Sequence, residues 1–297
     1  MIEDLNSALA GFVELQREGR VLEIRMVKPK VNAICRRLSR AMERAALFLQ
    51  ESDDLQVGVL TSGQDRAFSA GLDFNEAEGP GNDTEGAVDG GFGGITRLWA
   101  LKKPLIAAIN APAIGGGMEL ALACDLIVMA ETAYFELPEL QRGLLPDGGG
   151  LQRLPRRIPY NVATAMIWTG QRMTAAEAVS WGLVHRAVPA AELRQAAMDI
   201  AHKMTRDAPL AQQAFKEVLR NIDGLSDREA MEIRADSGPQ YATYARMLAS
   251  EDMLEGPAAM ARPVGPNDTK ANQGNDHVHL YRDGTPRRSR GDRPQSP

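Results

Sequence analysis

Short apolar runs alternate along this chain with stretches whose apolar positions recur every three to four residues. VLEIRMV (21–27), QVGVLT (56–61), PLIAAI (104–109) and DLIVMA (125–130) have the length and β-branched content of buried strands. Between the first two, Met42, Ala45, Ala46 and Leu49 fall on one face of a helix, a stripe suited to lying on a sheet. A second crossover is predicted where the glycines of IGGGMELALAC run into a helical pattern and Asp125 precedes the next apolar run. This alternation predicts an α/β core of parallel or near-parallel strands.

Helix punctuation is legible further on. Thr174 with Glu177, and Ser226 with Glu229, have the spacing of capping boxes. Gly182 is placed to stop the first of these helices, and Pro209 fits the first turn of APLAQQAFKEVLR. From about residue 190 the pattern is wholly helical and no strand pattern returns. These Met- and Ala-rich helices could pack on their own core or on a neighbouring subunit, and the pattern does not choose.

Two stretches stand apart. Residues 79–94 hold seven glycines in sixteen positions, so ordering the backbone is costly and a mobile lid is expected. Residues 263–297 carry only Val264, Ala271, Val278, Leu280 and Tyr281 as apolar residues, and a disordered tail is expected. His277 and His279 in that tail are too few for a metal site, and no metal is expected.

Composition narrows the class. A chain of 297 residues with 44% apolar content can bury a large core. Net charge of −5 argues against nucleic acid as a partner. Cys35 and Cys124, with no CxxC spacing, are expected to be buried thiols in a reducing compartment. The acidic N-terminal stretch has no basic segment leading into an apolar one, and no apolar stretch reaches membrane-spanning length. A soluble, cytoplasmic protein with no membrane partner is the expectation.

The candidate chemistry sits in three segments. AFSAGLDF (67–74) and IGGGMELALACD (114–125) each offer small residues through which a ligand can approach backbone N–H groups. Two such donors aimed at one oxygen make an oxyanion hole. Glu119 and Glu139, twenty positions apart, supply two carboxylates able to move a proton and hold a water. Glu119 falls in the first turn of a helix, where the dipole favours its ionised form. Asp147 in LLPDGGG is a third candidate acid, although Asp before Gly commonly marks a turn.

Taken in order, AFSAGLDF, KPLIAAINAPAIGGGMELALACDLIVMA, LPELQRGLLPDGGGLQRLP and ATAMIWTGQRMTAAEAVSWGLVHRAV resemble the successive signature regions of the enoyl-CoA hydratase/isomerase family, the crotonase superfamily. The resemblance spans roughly residues 10–262. It implies an α/β fold, a ClpP-like right-handed superhelix of ββα units over 1–200, with a helical trimerisation region over 201–262 ahead of the 263–297 tail. It also implies a CoA thioester substrate, no separate cofactor, and a homotrimer or dimer of trimers.

By the same resemblance, the amides of Leu72 and Gly116 form the oxyanion hole. Glu119 and Glu139 match the hydratases' two acids, the later exchanging a proton at Cα and the earlier handling the water at Cβ. Lys30, Val31, Ala33, Ala70 and Asp73 fall where CoA is bound, with Lys28 a further candidate for its phosphates. GGFGGIT (90–96), LLPDGGG and SEDMLEGPAAMA (250–261) are similar to a dehydratase branch of the family. Two departures stand out: Leu72 replaces a bulky aromatic, as in the isomerases, and the family's basic, aromatic ending is replaced after Ala261. The pair of acids points to hydration; an enoyl-CoA isomerase, or a non-catalytic acyl-CoA- or RNA-binding homologue, remains the alternative.

Overall fold

A computed structural model of the chain describes residues 2–75 and 88–260. Helix α1 (Ile2–Ala8) leads into strands β1 (Val13–Glu18) and β2 (Val21–Met26), followed by α2 (Arg36–Glu51) and β3 (Val57–Ser62). Next come β4 (Leu105–Ile109), β5 (Ala113–Ile114), α3 (Gly116–Ala123), β6 (Leu126–Ala130) and β7 (Tyr134–Glu136). Helices α4 (Gly150–Arg157) and α5 (Tyr160–Thr169) precede β8 (Met173–Thr174), α6 (Ala175–Ser180), β9 (Arg186–Val188) and α7 (Leu193–Met204). The remainder is helical: α8 (Pro209–Ile222), α9 (Asp227–Met231), α10 (Ala242–Leu248) and α11 (Glu251–Met260).

The main sheet has the order β1-β2-β3-β4-β6-β9 and is parallel from β2 onward; β1 is antiparallel to β2 and was not expected from the pattern. The four predicted strands are its centre. All five residues of β4 are buried, as a strand covered on both faces requires. The α2 stripe faces inward as predicted, with Met42, Ala45, Ala46 and Leu49 buried.

A second, smaller sheet, β5-β7-β8, went unpredicted because its strands are two or three residues long, too short for a period to register. It is extended by isolated bridges, Ser69 to Ala113 and Ile34 to Leu72. Successive turns of chain therefore add one rung to each sheet before crossing back, which is the ββα spiral. This second stack runs through 69–72, 113–114 and 134–136, the flanks of the predicted site.

Helix α7 lies across β2, β3, β4 and β6. Gln56, at the start of β3, donates its amide to the carbonyls of Met204 and Asp207, tying the core to the turn before α8. Lys216 of α8 reaches the Asp125 carboxylate at 2.6 Å and the Lys103 carbonyl at 3.0 Å. Both capping boxes form, and Gly182 takes a left-handed φ of 74° just past α6. The helix opened by Ser226 ends at Met231, shorter than the pattern suggests.

The expected lid divides. Residues 76–87 lie outside the described residues. Residues 92–94 form a tight 3-10 turn with Gly93 and Gly94 buried, so this end is packed down and not a free loop. Its glycines are required by close approach: a Cβ on Gly94 would stand 2.0 Å from the Ser39 carbonyl oxygen in α2. The 263–297 tail, with His277 and His279, also lies outside the described residues.

Candidate active site

The two glycine segments lie against each other. Gly71 has a φ of 81°, and a Cβ there would stand 2.8 Å from the Ile114 carbonyl oxygen and 3.0 Å from the Gly116 nitrogen. A Cβ on Gly117 would meet the Ser69 carbonyl oxygen at 2.3 Å. Side chains are thus excluded where the segments cross, which accounts for the run of small residues in both.

Strand pairing aims the first amide. Ile34 donates to the Gly71 carbonyl (2.7 Å) and accepts from Asp73 (2.9 Å), so the residue between them, Leu72, turns its N–H away from Ile34. Gly116 is the first residue of α3, where no carbonyl of the preceding turn is in reach. No described residue accepts a hydrogen bond from either amide. The predicted donors Leu72 and Gly116 are therefore brought together with both N–H groups available.

Glu119 lies one turn into α3, only 4% exposed. Its Oε1 accepts the Gly150 amide at 2.9 Å, and a Cβ on Gly148 would stand 2.6 Å from Oε2. The glycines of LLPDGGG thus clasp this carboxyl, a role the sequence reading missed while weighing Asp147 alone. Burial raises the Glu119 pKa to about 8; the Gly150 bond opposes the rise, and the charges of Glu139 and Asp147 add to it. The helix-dipole expectation of an ionised Glu119 is corrected here, since desolvation outweighs a dipole contribution of about 0.3–1 kcal/mol.

Glu139 opens a 3-10 turn (Glu139–Arg142) after Pro138. A Cβ on Gly115 would stand 2.6 Å from Glu139 Oε1, so this carboxyl rests on the loop that carries Gly116. Its Oε2 is buried without a hydrogen-bond partner. Desolvation raises its pKa; the Arg142 charge pulls it back, and those of Asp147 and Glu136 push it up. An unsatisfied buried carboxylate oxygen beside two free amides is costly unless a ligand completes it. Asp147 itself is exposed, and its charge bears on both acids.

The segment named for CoA lies on the other side of Leu72. Ala70 donates to the Val31 carbonyl at 3.0 Å, and Ala33 precedes the bridging Ile34. Lys30 is exposed with a left-handed φ of 75°. Lys28 and Asp73 form an ion pair, each side chain little exposed. Burial favours the neutral Asp73 carboxyl, but Lys28 and Asn75 overcome it and hold its pKa below the usual range.

A further residue that sequence reading missed is Asn32, buried with a φ of 47°. Its amide donates to Ser62 Oγ (2.8 Å) and the Phe68 carbonyl (3.0 Å), and its carbonyl accepts the Ser69 hydroxyl (2.8 Å). It fastens the 67–72 segment to β3. The only signal was an Asn in a run otherwise read for its backbone.

Two free amides beside two buried carboxyls, carried on a spiral of two stacked sheets, form an arrangement able to stabilise an enolate. A model of the enoyl-CoA hydratase/isomerase family matches residues 16–259, and the chain belongs to that family. Among curated relatives it is similar to the carnitinyl-CoA dehydratase of Proteus mirabilis (strain HI4320), 42% identical over 259 residues, covering 87% of this chain and 98% of the relative. The carnitinyl-CoA dehydratase of Salmonella arizonae is 43% identical over 260 residues, with the same coverage. Among solved structures, an enoyl-CoA hydratase from Mycobacterium tuberculosis H37Rv superposes with a TM-score of 0.74 at 37% identity, covering 84% of this chain and 95% of that one.

Proposed function

We propose that this chain is an acyl-CoA hydratase/dehydratase that adds or removes water across the 2,3 bond of a CoA thioester. Hydration draws on the form in which the pair's one proton sits on Glu139: the water oxygen bonds to Cβ while one of its protons passes to the Glu119 carboxylate. The displaced π pair moves through Cα onto the thioester oxygen, held by the Leu72 and Gly116 amides, and returns to take a proton at Cα from Glu139. Dehydration is the reverse. In both directions the acid pair carries one proton, which suits two carboxyls whose pKa values are raised by burial. CoA supplies the handle, bound along Lys30, Val31, Ala33, Ala70 and Asp73, with Lys28 holding Asp73 in place. No cofactor beyond the CoA of the substrate enters this scheme.

The observation that carries the reading is the contact of Glu139 and Glu119 with the glycine loops that flank and follow the donor amides. An isomerase needs one base; here a second acid is buried and clasped. The names of the relatives make a carnitine-derived acyl group the first substrate to try. We also propose a homotrimer or dimer of trimers built on the C-terminal helices, in the cytoplasm, where Cys35 and Cys124 stay as buried thiols. The test is product analysis with a trans-2-enoyl-CoA, a 3-enoyl-CoA and a carnitine-derived enoyl-CoA. A 3-hydroxyacyl-CoA from a 2-enoyl substrate is expected; double-bond migration without water addition would replace this reading with the isomerase.

A further inference from the structure

We infer that Phe92 is a specificity-determining residue that restricts the substrate to acyl groups unbranched at Cα. The inference rests on the proposed placement of the thioester oxygen between Leu72 and Gly116. A Cβ on Gly116 would stand 2.1 Å from Phe92 Cε1 and 2.5 Å from Cζ, so the ring is packed on the Cα of a donor residue. In a helix the Cα–Cβ direction tilts toward the N-terminus, the side on which the first free N–H groups emerge. The ring therefore walls the same flank from which the Gly116 amide reaches its ligand.

The backbone holds that wall in place. Gly93 N–H donates to the Ser39 hydroxyl (3.1 Å), and the Phe92 carbonyl accepts the Thr96 hydroxyl (2.8 Å). A Cβ on Gly93 would meet Leu120 Cδ2 of α3 at 2.3 Å, so the turn cannot lift without opening a packed contact. In the proposed pose, the Cα of the thioester, two covalent bonds from the oxygen bonded to Gly116, faces this ring. A hydrogen at Cα fits such a wall, whereas a methyl must displace part of an aromatic ring whose backbone turn is fastened to α2 and α3.

The test measures binding of two saturated thioesters, butyryl-CoA and isobutyryl-CoA, which differ in branching at Cα and are not substrates for water addition. Wild type is expected to favour butyryl-CoA by about tenfold or more in Kd, the scale on which a pocket senses one methyl group, and Phe92→Ala to narrow that ratio to within about threefold. Phe92→Leu, a milder change that keeps the turn's packing, is expected to give an intermediate ratio and serves if the alanine variant does not fold. Equal binding of the two by wild type, or an unchanged ratio in a folded variant, overturns the inference and leaves the proposed reaction standing. Failure of wild type to bind either thioester overturns both.

Discussion

Glu119 shows how far one residue's surroundings can depart from its place in the sequence. Its position in a first helical turn favours ionisation, yet burial sets its pKa at about 8 against an ordinary 4.5. The folded state keeps this proton through a range in which the unfolded chain has lost it. The contribution of Glu119 to stability is therefore whole below the ordinary carboxyl pKa and is lost as pH rises through about 8. Glu119→Gln, which is neutral at every pH, should lose less Tm than wild type on going from about pH 6 to about pH 9. Thermal unfolding of the two proteins at both pH values checks this; parallel losses would mean that Glu119 is ionised in the folded state. Both acids were legible in the sequence, as were the paired glycines. The burial of Glu119 was not, because Gly148 and Gly150 close over it from about thirty residues downstream, a contact with no local signature.

Among the elements, what could be read was what has a period. The four central strands and the α2 stripe repeat often enough to announce themselves, and both capping boxes form. The β5-β7-β8 sheet does not, yet with the bridges at Ile34 and Ser69 it aims the Leu72 amide. The glycine count of 79–94 suggested freedom, where Gly93 and Gly94 in fact serve close packing on α3 and α2. The C-terminal helices present unpaired apolar surface: Phe215 on α8 is 66% exposed, Met231 on α9 77% and Leu254 on α11 76%. Large side chains left outside on three of these four helices supply the apolar surface for the proposed contact with another copy. Sedimentation should show a trimer or a dimer of trimers, and a chain ended at Arg262 should assemble in the same way. A monomer in both would remove the proposed interface; a monomer for the shorter chain alone would assign assembly to 263–297.

For the whole molecule, the spiral explains how residues so far apart in the chain come together. Each turn delivers one loop to the same flank: 30–34, then 69–73, then 114–119, then 136–150. Leu72 and Gly116 meet because adjacent turns stack, and Glu139 rests on Gly115 because the next turn stacks again. In the proposed reaction two acids share the work of moving water across the 2,3 bond. The most direct measurement is the steady-state hydration of a trans-2-enoyl-CoA by wild type, Glu119→Gln and Glu139→Gln, with thioester binding measured alongside. Each variant should lose about 10²–10⁴-fold in kcat, the usual contribution of a positioned proton donor or acceptor, with little change in thioester affinity. If either variant turned over at close to the wild-type rate, the two-acid account would be contradicted.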